Sequence, residues 1–297
     1  MSRENSGIDR GSRLPFLSTL SRGQRESAYR YAWFGVLLAG LALIAFPLFW
    51  MFSTALRPNS QMFTQPIPLV PRTLTLEHFT AIFTETAFVT FYKNSIIVAV
   101  GVVFTTTVTA TLGGYGLTRL DIPFKKTFAR TILFGYMFPP ILLSIPMFLF
   151  WRELGIINSY VGLILAETAI SLPFSLWLMW QFFQTVPESL EESAQMSGAS
   201  RFRAFWDIAL PMAKPGMVAV AVFSYAVSWN AYTMPKVLMT NLEKWPLTVG
   251  VHSLTQQHQV LWGQVMAASA LIILPAFVFV YFLQKYLLRG FEAGGIG

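Results

Sequence analysis

Apolar residues run through this chain in long stretches, without the strict two-residue alternation of a half-buried strand. Six such stretches, at 31–55, 95–117, 128–150, 160–183, 217–238 and 265–288, reach the roughly 20 residues of helix that cross a hydrocarbon core about 30 Å thick. Lipid offers the backbone no hydrogen-bond partners, so runs of this kind predict six transmembrane helices. Polar segments separate them. Residues 1–30 are rich in Arg and Ser, 57–92 carry Pro58, Pro66, Pro68 and Pro71, 185–215 are charged and broken by glycine, and 240–264 are mixed. Within 57–92, Leu74-Thr75-Leu76-Glu77-His78-Phe79 starts like a short surface helix.

Composition agrees with the pattern. Of 297 residues, 54% are hydrophobic and only 12% charged, and the mean hydropathy is +0.54, too apolar for a soluble domain of this size. The fold class is an all-α integral membrane protein. Its net charge of +7 carries information through its distribution. Fifteen Lys and Arg lie at the termini, in 118–130 and in 185–215, against six in the alternate segments. The positive-inside rule then puts both termini and 185–215 in the cytoplasm of a multi-pass protein of the cell membrane. Residues 1–30 lack an apolar core and a small-residue cleavage site, so they read as a cytoplasmic tail with disorder as the expectation. A six-helix domain, 31–288, and a short tail, 289–297, complete the division. There is no cysteine, which excludes disulfides and thiol catalysis. Neither a phosphate-binding Gly-x-x-x-x-Gly-Lys-[Ser/Thr] loop nor His-Glu-x-x-His occurs, so nucleotide hydrolysis and zinc chemistry have no local signature.

The segment 185–215 is the most structured of the polar breaks. Thr185 is placed to N-cap a helix beginning at Pro187, with Glu188, Glu191 and Glu192 where the helix dipole favours negative charge. Gly198 stops it. Ser200 then caps a second helix over 201–208, on which the spacing of Phe202, Phe205 and Trp206 predicts one aromatic face while Arg201 and Arg203 point elsewhere, and Leu210-Pro211 ends it. The result is a helix-turn-helix knob shaped for another protein's groove.

This knob resembles the EAA loop of binding-protein-dependent ABC importer permeases, in Glu192-Ser193-Ala194, Gly198, Ile208 and Leu210-Pro211. Asn94-Ser95, Trp229-Asn230 and the ending 289–295 look like the carbohydrate branch of that family, specifically its second, maltose-permease-like inner-membrane subunit. Two positions depart: Ser193 replaces the middle alanine, and Ser197 stands where an aspartate usually precedes the glycine. The resemblance implies that Glu188, Glu191, Glu192, Ala194, Gly198, Arg201, Phe202, Phe205, Leu210 and Pro211 couple the chain to an ATPase. It also implies no cofactor on this chain, with ATP and Mg bound by two separate ATPase subunits, a second permease subunit as membrane partner, and an outer solute-binding protein. The implied cargo is a sugar, with a polyol or glycerol phosphodiester as the alternative.

Pathway candidates lie inside the spans. Glu167 is the only acid there; it reads as a pathway-lining group, as the partner of a neighbouring subunit's base, or as a side chain snorkelling to the interface. In 217–238, Ser224, Ser228, Asn230 and Tyr232 bring polar groups and Trp229 a flat surface suited to sugar stacking, while interhelical hydrogen bonds account for Ser and Asn equally well. Pro47, Gly113, Gly114, Gly116, Pro139, Pro140, Pro146, Pro173 and Pro275 divide between gating breaks and close packing. Thr105-Thr106-Thr107, Thr109 and Thr111 suit helix contacts or a polar lining. His78, His252 and His258 fall in outer loops and read as solvated. An ion-coupled secondary transporter would need more intramembrane charge than Glu167, and an intramembrane enzyme would need convergent catalytic groups that the sequence does not offer.

Overall fold

In the computed structural model, residues 22–256 and 260–294 are described; the regular elements among them are all helices, with no strand. In chain order the helices are α1 (Arg22–Ala55), α2 (Glu77–Glu85), α3 (Phe88–Arg119), α4 (Lys125–Gly135), α5 (Pro140–Glu153), α6 (Tyr160–Gln184), α7 (Glu188–Met196), α8 (Arg201–Ala204), α9 (Leu210–Met212), α10 (Lys214–Trp229), α11 (Thr233–Leu238), α12 (Leu247–Leu254) and α13 (Trp262–Gly294). Single apolar helices long enough to cross a membrane lie in α1, α3, α6 and α13. Two further candidates are bent pairs, Thr127–Gly135 with Pro140–Glu153 at 91° and Arg201–Met212 with Lys214–Trp229 at 69°, so the spans number four, or up to six if each pair counts as one.

The expected third span, 128–150, is therefore not one straight helix. Pro139 and Pro140 supply no N–H to the carbonyls of Gly135 and Tyr136, and the chain turns there before α5 starts with Pro140 in its first turn. Pro47, Pro146, Pro173 and Pro275 lie inside continuous helices. The expected fifth span, 217–238, ends at Trp229, and α11 follows separately.

The chain divides into two compact units, residues 1–52 and 53–297. In the first, helix starts at Arg22, inside the segment expected as a disordered tail, and residues 1–21 lie outside the described residues. Trp33, Phe34, Leu37, Leu41 and Ile44 are exposed around the helix, and Phe46 stacks on Trp50 with ring centroids 6.3 Å apart. An apolar surface on every face is what lipid, or a helix of another chain, accepts. At the other end, α13 continues helically through Gly294, and 295–297 are outside the described residues.

The second unit is built on α3 and α6. At Gly114 the two backbones nearly touch: a Cβ added there would lie 2.8 Å from Met179 Cβ and 2.9 Å from the Met179 carbonyl carbon and Trp180 nitrogen. Hydroxyls bridge the same seam, Thr105 to Thr168 at 2.7 Å and Thr106 to Ser171 at 3.0 Å. In lipid, where apolar side chains gain nothing by leaving apolar solvent, such close approach and hydrogen bonding are what hold helices together. Helix α10 packs on both, and α13 packs on α10, where the indole N–H of Trp229 donates to Ile272 O at 3.2 Å.

Asn94-Ser95 has a clear structural role. The Asn94 amide donates to Glu243 O and Trp245 O at 2.8 and 2.9 Å and accepts from the Tyr160 hydroxyl at 2.6 Å, while Ser95 Oγ accepts from Leu247 N at 2.7 Å. These bonds pin the start of α3 to the starts of α6 and α12. The helix expected in 57–92 is α2, but its His78 is buried, not solvated, its Nε2 2.8 Å from Arg57 O. His252 is exposed, and His258 lies outside the described residues.

Gly114→Ala is expected to lower stability by about 1–3 kcal/mol through overpacking, while Gly116→Ala, whose new Cβ would meet Leu120 at an ordinary 3.6 Å, leaves it nearly unchanged. Thermal unfolding in detergent compares the two.

Candidate functional site

Helix α7 begins after Pro187, which takes the N-cap position without a side-chain bond, and it carries Glu188 and Glu191 in its first turn. Thr185, expected to cap it, instead donates to Phe182 O at 2.7 Å and closes the end of α6. Proline already fixes the entry angle, leaving the threonine free to satisfy a carbonyl behind it.

Gly198 stops α7 as expected. With φ +93° it takes a left-handed conformation, its N–H donates to Gln195 O at 2.9 Å, and Ala199 N–H donates to Ala194 O at 3.0 Å. This paired 5→2 and 6→1 arrangement satisfies the last carbonyls of the helix. The two serines that depart from the family pattern fit it locally: Ser193 donates to Ser189 O at 2.7 Å and Ser197 to Ser193 O at 3.0 Å, so no carboxylate is needed for the turn to close.

Ser200 caps α8, accepting from Arg203 N at 3.2 Å. The second helix does not end at Leu210-Pro211. It widens into a π-helical turn, Phe205–Ala209, whose Leu210 N–H reaches back to Phe205 O, and continues through α9. A wide turn spares the Asp207 carbonyl the clash that a proline four residues later would impose on an α-helix. The chain then bends by 69° into α10.

The three aromatics do not share one face. Phe205 is buried, its ring 4.5 Å from that of Tyr115 and clustered with Phe183, Val186 and Ala209. Phe202 and Trp206 are 72% and 59% exposed and stack on each other with centroids 6.3 Å apart. Met196, 90% exposed, and Leu190 add apolar surface outside, and Arg203 pairs with Asp207 at 3.2 Å. Of the other expected residues, Glu188, Glu192, Arg201 and Pro211 are exposed, and Ala194 and Leu210 are half-buried.

Glu191 alone of the acids turns inward. Its Oε1 accepts from Arg119 Nε at 2.7 Å and its Oε2 from the Tyr115 hydroxyl at 2.8 Å, while Arg119 Nη2 donates to Val186 O at 2.8 Å. Both charged side chains are almost fully buried. Beside them lies a cavity of about 140 Å³ lined by Glu188, Glu192, Gln195 and Arg201 together with Tyr115, Arg119 and Glu191. Sequence reasoning missed Arg119 and Tyr115. The available signal was a lone arginine closing a long apolar helix, four residues after a tyrosine on the same face.

The five pathway candidates are not brought together. Glu167 and Ser228 meet, the serine hydroxyl donating to Glu167 Oε2 in the buried contact of α6 with α10, and Glu167 Oε1 has no side-chain or backbone partner. Trp229 stacks on Tyr225 with centroids 5.4 Å apart and lines an apolar cavity of about 410 Å³ with Ile96, Ala99, Val100, Pro275, Val278 and Phe279. Asn230 is exposed, donating to Ala226 O at 2.8 Å, and Tyr232 packs edge-on against His252. A separate cavity of about 310 Å³ lies at the break between α4 and α5, lined by residues 135–140, Leu143, Ala169, Ile170 and Val227.

Comparison with known proteins places these features in a family. The family model described as binding-protein-dependent transport system inner membrane component matches residues 107–292. The diacetylchitobiose uptake system permease protein DasC of Streptomyces coelicolor is 32% identical over 264 residues, covering 88% of this chain and 94% of that protein. The trehalose transport system permease protein SugB of Mycobacterium tuberculosis is 30% identical over 284 residues, covering 92% and 99%. In fold, the chain resembles a chain from the crystal structure of a bacterial ABC transporter involved in the import of the acidic polysaccharide alginate, with a TM-score of 0.76, 24% identity and coverage of 90% and 98%.

The opposite placement of the two phenylalanines has a measurable result. Phe205→Ala should cost about 3–5 kcal/mol, and Phe202→Ala should stay within about 0.5 kcal/mol of the parent, both read from thermal unfolding of the isolated chain.

Proposed function

The chain belongs to the family of binding-protein-dependent transport system inner membrane components, and on that premise we propose that it is a permease subunit of an ABC importer for a sugar. In this reading it pairs with a second permease to enclose the translocation pathway, a solute-binding protein delivers a mono-, di- or oligosaccharide from outside, and two ATPase subunits bind ATP and Mg. This chain performs no hydrolysis itself. The sugar rests on its similarity to relatives named for diacetylchitobiose and trehalose. A polyol or glycerol phosphodiester is the alternative cargo within the same fold.

Residues 185–215 are the ATPase-docking element, on the cytoplasmic side with both termini. The observation that carries this is the exposed Phe202–Trp206 stack, on a pair of short helices whose inner face is locked to the spans through Phe205 and Glu191. An exposed aromatic pair on a rigid base suits a groove on another protein, and the exposed Glu188, Glu192 and Arg201 of the same segment set the orientation of docking. Nucleotide-driven closure of the ATPase pair then shifts the equilibrium between states of the spans open to either side. For the pathway, Asn230 and Tyr232 offer exposed polar groups, while Glu167 and Ser228 fasten α6 to α10.

Affinity purification of the full chain in detergent, followed by mass spectrometry, tests the assembly. An ATPase and a second, related permease are expected to copurify, and replacing Phe202 and Trp206 together by serine should remove the ATPase and retain the permease. Recovery of the chain alone, or only with copies of itself, would sink the importer reading and bring forward an ion-coupled secondary transporter. Gly198→Pro, which forbids the positive φ and removes a donating N–H, should abolish ATP-dependent uptake in the assembled complex while membrane insertion persists; transport at the parental rate would remove the segment from the mechanism.

A further inference from the structure

The importer reading gives the docking element a task, but two routes lead from it into the spans. The covalent route forward passes through Met212, Ala213 and the 69° bend before α10. A second route is not covalent. The last turns of α3 hold both helices of the element: Arg119 and Tyr115 take the two oxygens of Glu191 on α7, and the Tyr115 ring rests on Phe205 just after α8. Arg119 also bonds Val186 O, so the segment joining α6 to α7 is gripped by the same side chain.

We propose that Arg119 and Tyr115 are positioning residues that clamp Glu191, so that the first helix of the docking element and α3 move as one body when the ATPases close. This rests on the importer reading. A buried ion pair is a poor device for stability alone, because an apolar group of similar volume serves as well. What it supplies is direction: the guanidinium divides its fork between Glu191 and the Val186 carbonyl, and the phenol meets the same carboxylate from a position a turn away, fixing the orientation of α7 as well as its distance. The clamp lies only one turn from Gly114, where α3 meets the α6 backbone. Force applied to the element thus reaches the contact of α3 with α6 at Gly114 through side chains buried against α3, without passing the 69° bend.

The chain has no cysteine, which makes a spin-label test direct. Gln195→Cys on α7 and Leu112→Cys on α3, both exposed positions, are labelled in the complex with its ATPases, and the distance between them is read with and without a non-hydrolysable ATP analogue. With the clamp intact, the distance distribution is expected to be the same in both states. In Arg119→Gln it should shift by several ångströms, or broaden, only when the analogue is bound. A merely structural role would broaden it in both states. A nucleotide-dependent distance in the chain with Arg119 intact would overturn the proposal, as would an Arg119→Gln chain that keeps one distance throughout. Should Arg119→Gln fail to assemble, Arg119→Lys with Tyr115→Phe keeps the charge and removes the fork and the phenol, and the same two outcomes decide. Failure of the importer reading looks different: no ATPase is recovered with the unlabelled chain, and the clamp loses its role with it.

Discussion

Everything in the second unit depends on two long helices being allowed to touch. In water, apolar faces would drive α3 and α6 together, but in lipid that drive is absent and contact must come from shape and hydrogen bonds. Gly114 removes the side chain where the α6 backbone comes close, and the hydroxyl pairs Thr105–Thr168 and Thr106–Ser171 stitch the seam farther along. Helix α10 then has a two-helix surface to lie on, fastened by Ser228 to Glu167, and the segments around residues 243–247 are tied to the start of α3 through Asn94 and Ser95. Residues 185–215 are held at the opposite end of α3.

Much of this was legible in the sequence, and the parts that were not share a cause. Hydrophobic length found the long helices, because desolvating an unpaired peptide group is costly enough to override local preference. It missed the break at Tyr136–Pro139 and the early end of α10 at Trp229, since hydropathy counts apolar side chains and is blind to which backbone donors are missing. In residues 185–215, glycine and serine chemistry found the stop at Gly198 and the cap at Ser200. Periodicity failed at Phe205 because its burial beside Tyr115 is decided by α3, distant in sequence. Arg119 and Tyr115 escaped for the same reason: their partner lies more than seventy residues away. Thr185 was misjudged because a proline cap leaves a side-chain cap nothing to do.

Residues 185–215 thus have two faces of different character. The inner one is specific, with both oxygens of Glu191 taken and Phe205 enclosed. Outside, Phe202, Trp206, Met196 and Leu190 are exposed on the same segment as the exposed Glu188, Glu192 and Arg201. Ser193 lies on α7 and Ser197 caps its end, and each bonds a carbonyl of that helix, so the family pattern is changed at those positions without disturbing the inner face.

The paired prolines at 139 and 140 leave the break between α4 and α5 with fewer backbone donors than an unbroken helix, and the Gly135 carbonyl is met there by the Phe138 N–H at 3.4 Å. With a cavity of about 310 Å³ beside the break, the angle between the two helices can change at the cost of few hydrogen bonds and without either helix unwinding.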